Sequence, residues 1–444
     1  MTSTEDVLAA DRRHVWHPFT QAQTAPDPIP IASADGAELV DTEGNRYLDM
    51  ISSWWVTLHG HAHPAIAEAI GTQARTLEQV IFAGHTHRPA TELARRLAGL
   101  LPGGLNRVFY SDDGSTAVEV ALKAAYQACQ NAGESERTRI LAFDGGYHGD
   151  TVGAMALGQS SSFFDAFQGL MFPVDILPNA PTHDGDPDPA ATEDDALAKL
   201  DAHLTEHGAH TAAAIIEPLV QGAGGMRMHR AAFLRAVVAR LRAHGVLVIF
   251  DEVMTGFGRL GELFACTKAG VEPDFICLSK GLTGGFLPLA ATVAQDSVYE
   301  RFLGEAIDRA LLHGHSFTAN PLACAAALAS LDVLTDPACE QARARIERRH
   351  RAALDEVTAH EVVTRPRVSG TLMALDVERA ADASGYRAAV GPWLKRFFRA
   401  RNLLIRPLGN VIYLLPPYCV TDEQLTAAYS AIHDAVRQLG ARDT

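Results

Sequence analysis

Two charged residues lie at the ends of short apolar segments that have the composition of buried strands. Asp251 ends the segment VLVIFD, and Lys280 follows FICLS and precedes a glycine-rich turn at residues 281–285. The carboxyl ends of parallel strands meet at one edge of a sheet, which would bring the two side chains together. A partly desolvated lysine has a lowered pKa and acts as an amine nucleophile. The pair therefore indicates a nucleophilic lysine with an acidic partner.

Pyridoxal 5′-phosphate (PLP) is a cofactor whose chemistry needs such a pair. A lysine holds it as a Schiff base, and a carboxylate keeps its pyridine nitrogen protonated, so that the ring accepts the electrons of a substrate carbanion. The alternative from the residues alone is a surface lysine and an aspartate that caps a helix, both of which are common. By themselves the two residues leave both interpretations open.

Two turns add further candidates. Residues 111–116, SDDGST, lie between a predicted strand and a predicted helix, where backbone N–H groups at a helix N-terminus suit a phosphate. Residues 145–150, GGYHGD, follow another predicted strand, and the flanking glycines leave Tyr147 free to lie flat on an aromatic ligand. An ordinary helix cap and a core tyrosine are the simpler interpretations of each turn taken alone.

The segments that carry these residues alternate between short apolar strands and helices. We predict strands at residues 107–110, 139–143, 212–217, 246–251 and 275–279, and helices at 64–79, 89–100, 116–132 and 231–244. Nearly all-apolar strands that alternate with helices are typical of a mainly parallel sheet with both faces covered. The turn at residues 42–45 predicts a β-hairpin, and the Asp- and Pro-rich residues 179–195 are expected to form a surface excursion with no core role.

A chain of 444 residues is too long for one small core and suits several domains. We expect an α/β protein with a large domain at residues 52–330. Residues 1–51 should join a smaller α+β domain formed by residues 331–444, and a long Ala-rich helix that begins near Pro321 should lead into it.

Composition argues against several classes of protein. The net charge is −15 and no block of Lys and Arg is present, so we expect no nucleic-acid partner. The apolar stretches are far shorter than a bilayer span and the N-terminus has no apolar signal core, so we expect no membrane partner and a cytoplasmic location. Six scattered cysteines indicate reduced thiols, and the histidines at 59–63 and 85–87 fit loops better than a metal site, so no metal is expected.

Together, the motifs resemble those of the class III aminotransferases of PLP fold type I. The resemblance rests on FDEVMTGFGR around Asp251, LSKGLTGG around Lys280, GYHGD around Tyr147 and the turn DDGS, and it extends from about Trp16 to Pro417. It implies a PLP-dependent transaminase with a mostly parallel sheet in its large domain. It also implies a homodimer whose active sites are shared between the subunits.

The resemblance assigns roles around the cofactor ring. Lys280 would bind PLP and move the proton between substrate and cofactor, and Asp251 would pair with the pyridine nitrogen. Tyr147 would lie near the ring and face the substrate. Glu217 and Arg259 would support these three residues from behind.

The same resemblance assigns residues to the phosphate. Gly114 and Ser115 would hold it at the start of the helix, and His315 and Ser316 match the second phosphate-binding pair of the family. That pair would come from the second subunit of the dimer. Gly314, in the segment HGHSF, would lie near the substrate.

Other segments are similar to those of the 7,8-diaminopelargonic acid aminotransferases of biotin synthesis. They are HPFT, SSWW, GYHGDTVGAM, EPLVQGAGGMRM and IRPLGNVIYLLPP. That subfamily moves an amino group onto 7-keto-8-aminopelargonate, a long aliphatic chain with a carboxylate at one end. By this resemblance Trp54 and Trp55 line an apolar tunnel, Arg406 binds the carboxylate through a bidentate fork, and Asp150 helps place the substrate amine. The alternatives are core packing for the tryptophans and a structural salt bridge for Arg406.

The chain departs from the family pattern at three places. The phosphate pair is often Pro-Thr, and here His315-Ser316 keeps a hydroxyl. Asp113 replaces a common serine, and an anion there would repel phosphate unless it pointed away. Phe19, a candidate substrate-binding residue, stands where subfamily members that use S-adenosylmethionine often have a tyrosine. Lysine-using relatives resemble the chain at PFTQ and HGHS, whereas SSWW favours S-adenosylmethionine, so that donor leads and lysine is the alternative.

Other functions stay open at this point. A class III transaminase for another ω-amino acid or diamine would share Lys280, Asp251 and Tyr147, but would usually lack SSWW together with HPFT. A non-catalytic PLP-fold protein is disfavoured because the lysine and the aspartate are both present. A nucleotide-binding oxidoreductase would need GxGxxG between a strand and a helix, and the sequence has none there.

Overall fold

A computed structural model describes residues 3–159, 161–378 and 388–441. Its α-helices are α1 (Thr4–His14), α2 (Ser52–Trp55), α3 (Pro64–Ala74), α4 (Arg88–Leu100), α5 (Gly114–Asn131), α6 (Val152–Leu157), α7 (Pro189–His207), α8 (Ala231–Ala243), α9 (Ala265–Ala269), α10 (Asp296–Tyr299), α11 (Pro321–Leu334), α12 (Pro337–Val357), α13 (Val390–Arg399) and α14 (Asp422–Gly440). Its strands are β1 (Ile31–Asp35), β2 (Glu38–Asp41), β3 (Arg46–Asp49), β4 (Leu105–Ser111), β5 (Arg139–Phe143), β6 (Asp175–Leu177), β7 (Thr211–Ile216), β8 (Val220–Gln221), β9 (Arg227–Met228), β10 (Leu247–Asp251), β11 (Phe275–Leu278), β12 (Ala290–Gln295), β13 (Val363–Ser369), β14 (Leu372–Val377), β15 (Leu403–Leu404) and β16 (Val411–Leu414).

The central sheet has seven strands in the order β4-β12-β11-β10-β7-β5-β6. Strands β11, β10, β7, β5 and β6 pair in parallel, and β12 runs antiparallel between β11 and β4. The prediction of a mainly parallel sheet is confirmed. The antiparallel strand β12 was not among the predicted strands, because its sequence AATVAQ has few of the bulky β-branched or aromatic residues that mark a strand.

Strand β10 shows why both faces of this sheet are covered. Val248 and Phe250 pack into one hydrophobic cluster, which also contains side chains of α8. Leu247 and Ile249 point to the opposite face and pack into a second cluster with side chains of α5. Side chains alternate across a strand, so four successive apolar residues at 247–250 need a covering layer on each face of the sheet.

Two smaller sheets join distant parts of the chain. Strands β1, β2 and β3 form a sheet with β15, which pairs in parallel with β3. Residues 403–404 thus add a fourth strand to the sheet of the N-terminal segment. The predicted hairpin is confirmed as the antiparallel pair β2 and β3. Strands β13, β14 and β16 form a separate antiparallel sheet. The domain boundaries at residues 51/52 and 330/331 stay a prediction.

Two local predictions were wrong. The helix expected at residues 64–79 ends at Ala74, and the Gln73 side chain then donates to the Leu77 carbonyl outside the helix. Residues 179–195 were expected to have no core role, but Ala180 is fully buried in the main hydrophobic cluster, and Glu193 is buried in an ion pair with Arg230. The Asp and Pro residues of this segment include the start of a helix, because Asp188 caps α7 and Pro189 is its first residue.

Among the described residues, no single helix is long and apolar enough to cross a membrane. Helices α11 and α12 reach that length and composition only as a pair, which is bent by 70° at the break between them.

The turn between β13 and β14 gives a test of how the small sheet is attached to the rest of the protein. Gly370 has φ +57, and a Cβ atom there would lie 2.3 Å from the backbone of Leu260 and Gly261. Gly44, in the β2–β3 turn, has φ +87 and nothing within 4 Å of the same position. Gly44→Ala should lower the free energy of unfolding by about 1 kcal/mol through left-handed strain alone. Gly370→Ala should lower it by ~3 kcal/mol or more because backbone atoms must also move.

Urea unfolding followed by tryptophan fluorescence would measure both losses. Equal losses for Gly370→Ala and Gly44→Ala would mean that the β13–β14 turn is not held against the segment at residues 260–261.

Candidate active site

The predicted lysine and aspartate meet at one edge of the central sheet. Asp251 is the last residue of β10, and Lys280 comes two residues after the end of β11, its parallel neighbour. Both line a cavity of about 680 Å³ together with Gly114, Ser115 and Tyr147. The carboxyl ends of β10 and β11 and the turns after β4 and β5 therefore bring these five predicted residues into one site.

Lys280 occupies a conformation that suits a functional residue better than a structural one. Its φ is +44, in the left-handed region that non-glycine residues rarely adopt. Its Nζ lies 4.6 Å from the centre of the Trp55 ring. Burial lowers the pKa of Lys280, and the carboxylates of Asp251 and Glu217 oppose that shift. The result is an amine that loses its proton more readily than an exposed lysine.

Asp251 is buried and held in one orientation by two donors. The Nδ1 of buried His148 lies 2.7 Å from Asp251 Oδ2, and the backbone N–H of Val253 donates to Oδ1 at 3.1 Å. A carboxylate only accepts hydrogen bonds, so the proton of this pair lies on His148 Nδ1. His148 stands in GYHGD next to Tyr147, but its contact with Asp251 was not predicted.

Glu217 follows β7 and lies behind Tyr147. Its carboxylate accepts hydrogen bonds from the backbone N–H groups of Tyr147 (3.0 Å) and Gly222 (2.8 Å). Burial raises the pKa of Glu217 to about 7; the nearby His148 opposes this shift and Asp251 adds to it. The predicted supporting position of Glu217 thus corresponds to a contact that fixes the backbone of Tyr147.

The ring of Tyr147 is stacked on Phe164, with centroids 6.1 Å apart and an interplanar angle of 14°. Burial raises the pKa of the Tyr147 hydroxyl, and the carboxylate of Asp150 raises it further. The hydroxyl therefore stays protonated and remains a hydrogen-bond donor at the mouth of the site. Asp150 lines the same cavity, and its predicted role in placing the substrate amine stays a prediction.

The turn after β4 forms the N-terminus of α5. Asp113 is exposed and caps the helix, because its side chain accepts the Thr116 N–H at 2.9 Å. The Asp113 carboxylate thus binds the backbone of its own helix. The sequence left open in which direction this carboxylate points, and the structure directs it to Thr116. The helix begins at Gly114, where a Cβ atom would lie 2.5 Å from Val253, so only glycine allows this approach to the segment after β10.

An aromatic cavity of about 330 Å³ adjoins the first. Residues that line both cavities are Trp55, Tyr147, Asp150, Ala223 and Lys280. Five residues line the aromatic cavity but not the first cavity, namely Phe19, Trp54, Phe163, Arg406 and Leu408. The structure therefore joins the residues predicted to bind an aliphatic substrate to the lysine. Phe163 was not predicted; it follows no recognisable motif.

Arg406 lies at the end of the aromatic cavity. Its guanidinium carbon is 4.8 Å from the centre of the Trp54 ring. Among the described residues, no carboxylate lies within 4 Å of its guanidinium nitrogens, so the structural salt bridge that was the alternative is not found. The Phe19 ring stands edge-on to Trp54 at 5.7 Å and to Phe163 at 6.0 Å. An unpaired guanidinium thus faces a space with aromatic walls.

The segment that carries both tryptophans is strained and strongly held. Ser52, Ser53 and Trp55 have φ values of +52, +61 and +68. Fully buried Asp49 accepts the N–H of Ser53, and the Trp55 indole donates to Tyr413 at 3.0 Å. Strain of this kind persists only where the surroundings impose it.

Arg259, another predicted supporting residue, holds the same segment from behind. It is almost completely buried and donates to the carbonyls of Trp55 (3.2 Å) and Pro416 (3.1 Å). Its own carbonyl accepts the N–H of Thr371 at 2.9 Å, at the end of the β13–β14 turn. The guanidinium thus connects the tryptophan segment to the C-terminal part of the chain.

Gly314, His315 and Ser316 do not line either cavity of this chain. His315 Nδ1 lies 3.5 Å from Asp112 Oδ2, beside the turn, and the Ser316 carbonyl accepts a hydrogen bond from Gln79 at 2.7 Å. Gly314 and Ser316 are exposed. Their predicted contribution to a site in a second subunit is not tested by a single chain.

The residues present fit PLP. The cavity combines a buried amine, a buried carboxylate held by a histidine, and the N-terminus of α5, whose residues Gly114 and Ser115 line it. Among the described residues, no three His, Cys, Asp or Glu side chains are grouped to hold a metal. The sheet order and the site together define a PLP-dependent transferase of fold type I.

Comparison with known proteins agrees with this class. Residues 20–436 match the family model described as aminotransferase class-III. The chain is 52% identical to the adenosylmethionine-8-amino-7-oxononanoate aminotransferase of Synechococcus elongatus, over 96% of this chain and 99% of the relative. The chain belongs to the class III aminotransferases, and its cofactor is PLP.

Solved structures of similar proteins share the whole fold. The adenosylmethionine-8-amino-7-oxononanoate aminotransferase of Methanocaldococcus jannaschii is 32% identical, with a TM-score of 0.91 over 98% of this chain and 99% of that one. An amine transaminase from an uncultivated Pseudomonas species, solved in its PLP-bound internal aldimine form, is 31% identical, with a TM-score of 0.88 over 96% and 98% of the two chains.

The raised pKa of Glu217 predicts a pH dependence of stability. Because the folded state binds this proton more tightly than the unfolded state, stability should fall as pH rises from about 4.5 to about 7. Glu217→Gln cannot titrate, so its curve of unfolding free energy against pH should be flatter in that window, by up to about 1.4 kcal/mol per pH unit. Urea unfolding at a series of pH values measures the slope.

The slope is the informative quantity, because the amide also loses one acceptor and lowers stability at every pH. Glu68→Gln, on the exposed face of α3, removes a carboxylate that is 76% exposed and should leave the slope unchanged. A slope for Glu217→Gln equal to that of the unsubstituted protein would show that Glu217 is ionised throughout this range.

Proposed function

We propose that this enzyme transfers an amino group onto 8-amino-7-oxononanoate (7-keto-8-aminopelargonate) to give 7,8-diaminopelargonate in biotin biosynthesis. S-adenosylmethionine is the leading donor and lysine the alternative. The observation that carries the proposal is that Arg406, whose guanidinium has no carboxylate partner among the described residues, lines the same aromatic cavity as Lys280. The 52% identical relative is an adenosylmethionine-8-amino-7-oxononanoate aminotransferase, which supports the same acceptor.

The acceptor has the shape and charge that this cavity favours. Its methylene chain can pack against the rings of Trp54, Phe19 and Phe163, where apolar contact replaces water. Its carboxylate is the natural partner of Arg406, because a planar guanidinium binds a carboxylate with two parallel hydrogen bonds. The reacting carbon would then lie near Lys280.

The residues of the chain divide the work of the reaction. PLP, when bound, supplies an electron sink for the carbanion that transamination generates. Lys280, with its lowered pKa, accepts and returns the proton at the reacting carbon. Asp251, oriented by His148, holds the charge on the pyridine nitrogen. Tyr147 lies between the cofactor cavity and the aromatic cavity, where it faces the substrate.

The phosphate of PLP is assigned to the N-terminus of α5. No hydrogen bond from the N–H of Gly114 or Ser115 is found within the described part of the chain, and free N–H groups at a helix N-terminus bind anions. A second subunit would add His315 and Ser316, with Gly314 near the substrate.

A homodimer is supported by apolar side chains on the surface. Leu312 and Phe317 flank the segment at residues 313–316 and are 68% and 59% exposed, and Ile81 is 63% exposed. Large apolar side chains grouped around a functional segment are typical of an interface. A second copy of the chain would cover them and bring the segment to the partner's site. The predicted domains at 1–51, 52–330 and 331–444 would then each contribute to the shared site.

Arg406→Ala should raise the KM for 8-amino-7-oxononanoate by about 100-fold, since a charged hydrogen-bonded pair is lost. The Kd of PLP should change by less than about threefold, because Arg406 lies outside the cofactor cavity. Arg406→Lys keeps the charge but not the two parallel hydrogen bonds, so its KM for the acceptor should lie between those of Arg406→Ala and the unsubstituted protein. Steady-state kinetics and PLP titration of the apoenzyme measure these values. Equal losses of acceptor and PLP binding would show that Arg406 is structural.

Each donor can be tested without the acceptor. Adding S-adenosylmethionine to the PLP-bound enzyme should reduce the visible absorbance band of the lysine-bound cofactor, because the amino group passes to it. Lysine should leave the band unchanged, and Lys280→Ala should lack the band from the start. Phe19→Tyr, which adds a hydroxyl beside Trp54, should increase the rate with S-adenosylmethionine only.

Other outcomes of this titration would change the assignment. A response to lysine alone would make lysine the donor. A response to neither donor nor to 7,8-diaminopelargonate would contradict the proposed substrate and leave a class III transaminase for another ω-amino compound. The 28% identical (S)-enantioselective omega-transaminase of Thermomicrobium roseum, with a TM-score of 0.91, has the same fold.

A further inference from the structure

Glu119 lies in α5, one helical turn after Ser115, and makes an unusual number of contacts for a residue with no assigned role. Its Oε1 accepts hydrogen bonds from Thr151 Oγ1 (2.6 Å), Gly153 N (2.8 Å) and Ala154 N (3.2 Å). These donors are the residue before α6 and the first turn of that helix. The carboxylate therefore ties the segment that follows the Tyr147 turn onto the helix that begins the phosphate site.

The donor and the acceptor of each contact between Glu119, Thr151 and Ser115 can be assigned. A carboxylate oxygen only accepts, so the hydroxyl proton of Thr151 is directed to Glu119. The contact between Ser115 Oγ and Thr151 Oγ1, at 2.7 Å, then takes its proton from Ser115. The N–H of Thr151 donates back to Ser115 Oγ at 3.0 Å. Ser115 Oγ is thus held by two contacts with Thr151, and Thr151 is held by Glu119.

Two glycines show how closely the two segments approach. A Cβ atom at Gly149 would lie 2.2 Å from Ser115 Oγ, and one at Gly153 would lie 2.4 Å from Glu119 Oε2. Neither position can carry a larger side chain without moving the Ser115–Thr151–Glu119 chain of contacts. The packing therefore leaves the Ser115 side chain little freedom to choose another rotamer.

We propose that Glu119 is a positioning residue for the phosphate of PLP, acting through Thr151 on Ser115. It fixes the Ser115 oxygen beside the N–H groups of Gly114 and Ser115 before the phosphate binds. When phosphate binds, the Ser115 proton can turn to it while the Thr151 N–H continues to hold the oxygen in place. The inference rests on the proposed phosphate site at the N-terminus of α5.

Binding of PLP to the apoenzyme, followed by tryptophan fluorescence, tests this role without turnover. Glu119→Ala should raise the Kd of PLP by about tenfold, because Ser115 loses its fixed position. Glu119→Gln keeps an acceptor oxygen at the place of Oε1 and should stay within about twofold of the unsubstituted protein. Thr151→Val removes the hydroxyl but keeps the contacts of Glu119 with Gly153 and Ala154. It should therefore also raise the Kd of PLP by about tenfold, and it tests the role if Glu119→Ala folds poorly.

The double variants distinguish positioning from general loosening of the fold. With Ser115→Ala already present, Glu119→Ala should add no more than about a twofold loss, because both substitutions interrupt the same chain of contacts. A further tenfold loss in that background, or no loss from Glu119→Ala and Thr151→Val alone, would overturn the inference. If Ser115→Ala itself left the Kd of PLP unchanged, the proposed phosphate site would fail first.

The phosphorus NMR signal of bound PLP gives an independent signature. The resonance of the Glu119→Gln holoenzyme should coincide with that of the unsubstituted protein. Thr151→Val should shift the resonance, because the Ser115 hydroxyl beside the phosphate changes orientation. An unshifted resonance in Thr151→Val would contradict the relay through Thr151.

Discussion

The burial of Lys280 among carboxylates is the interaction on which the rest of the site depends. An amine taken out of water loses its proton more easily, and Asp251 and Glu217 oppose that loss. The balance leaves a group that can bind a carbonyl and still exchange protons. Neither effect exists without the central sheet, whose two covered faces leave only the strand ends for polar side chains.

Two carboxylates near the lysine and one on α5 differ in what they contact. Asp251 faces His148, which holds the carboxylate that we propose pairs with the pyridine nitrogen. Glu217 faces backbone N–H groups and holds the Tyr147 turn, and burial raises its pKa to about 7. Glu119 faces the start of α6 and lies on the phosphate side. Each of the three carboxylates thus holds a different part of the chain: Asp251 the His148 side chain, Glu217 the Tyr147 turn and Glu119 the start of α6.

The aromatic cavity depends on a different constraint, which is strain in the tryptophan segment at residues 52–55. Three of the four residues at 52–55 have positive φ values, and Asp49, Arg259 and Tyr413 hold them from the part of the chain outside the central sheet. Trp54 is thereby placed under Arg406, and Trp55 beside Lys280. The aromatic cavity therefore lies where the tryptophan segment, Lys280 beyond the end of β11, and Arg406 and Leu408 meet.

The sequence by itself determined the class of fold and the main chemical residues. Composition predicted strands such as β7, β10 and β11, because a short and nearly all-apolar segment is typical of a buried strand. The motifs around Lys280 and Asp251 indicated the cofactor. The sequence could not show β12, the core role of Ala180, or the direction in which Asp113 points, since those depend on neighbours far away in the chain.

Only the tertiary structure decided which side chains meet. His148 is 103 residues from Asp251, and Trp55 is 358 residues from Tyr413, so no local pattern predicts either contact. The absence of a carboxylate partner for Arg406 among the described residues, and the chain of contacts from Glu119 to Ser115, likewise depend on distances of a few ångströms between separate elements. Local sequence sets the elements and their polar ends, whereas packing sets the distances at which those ends act on one another.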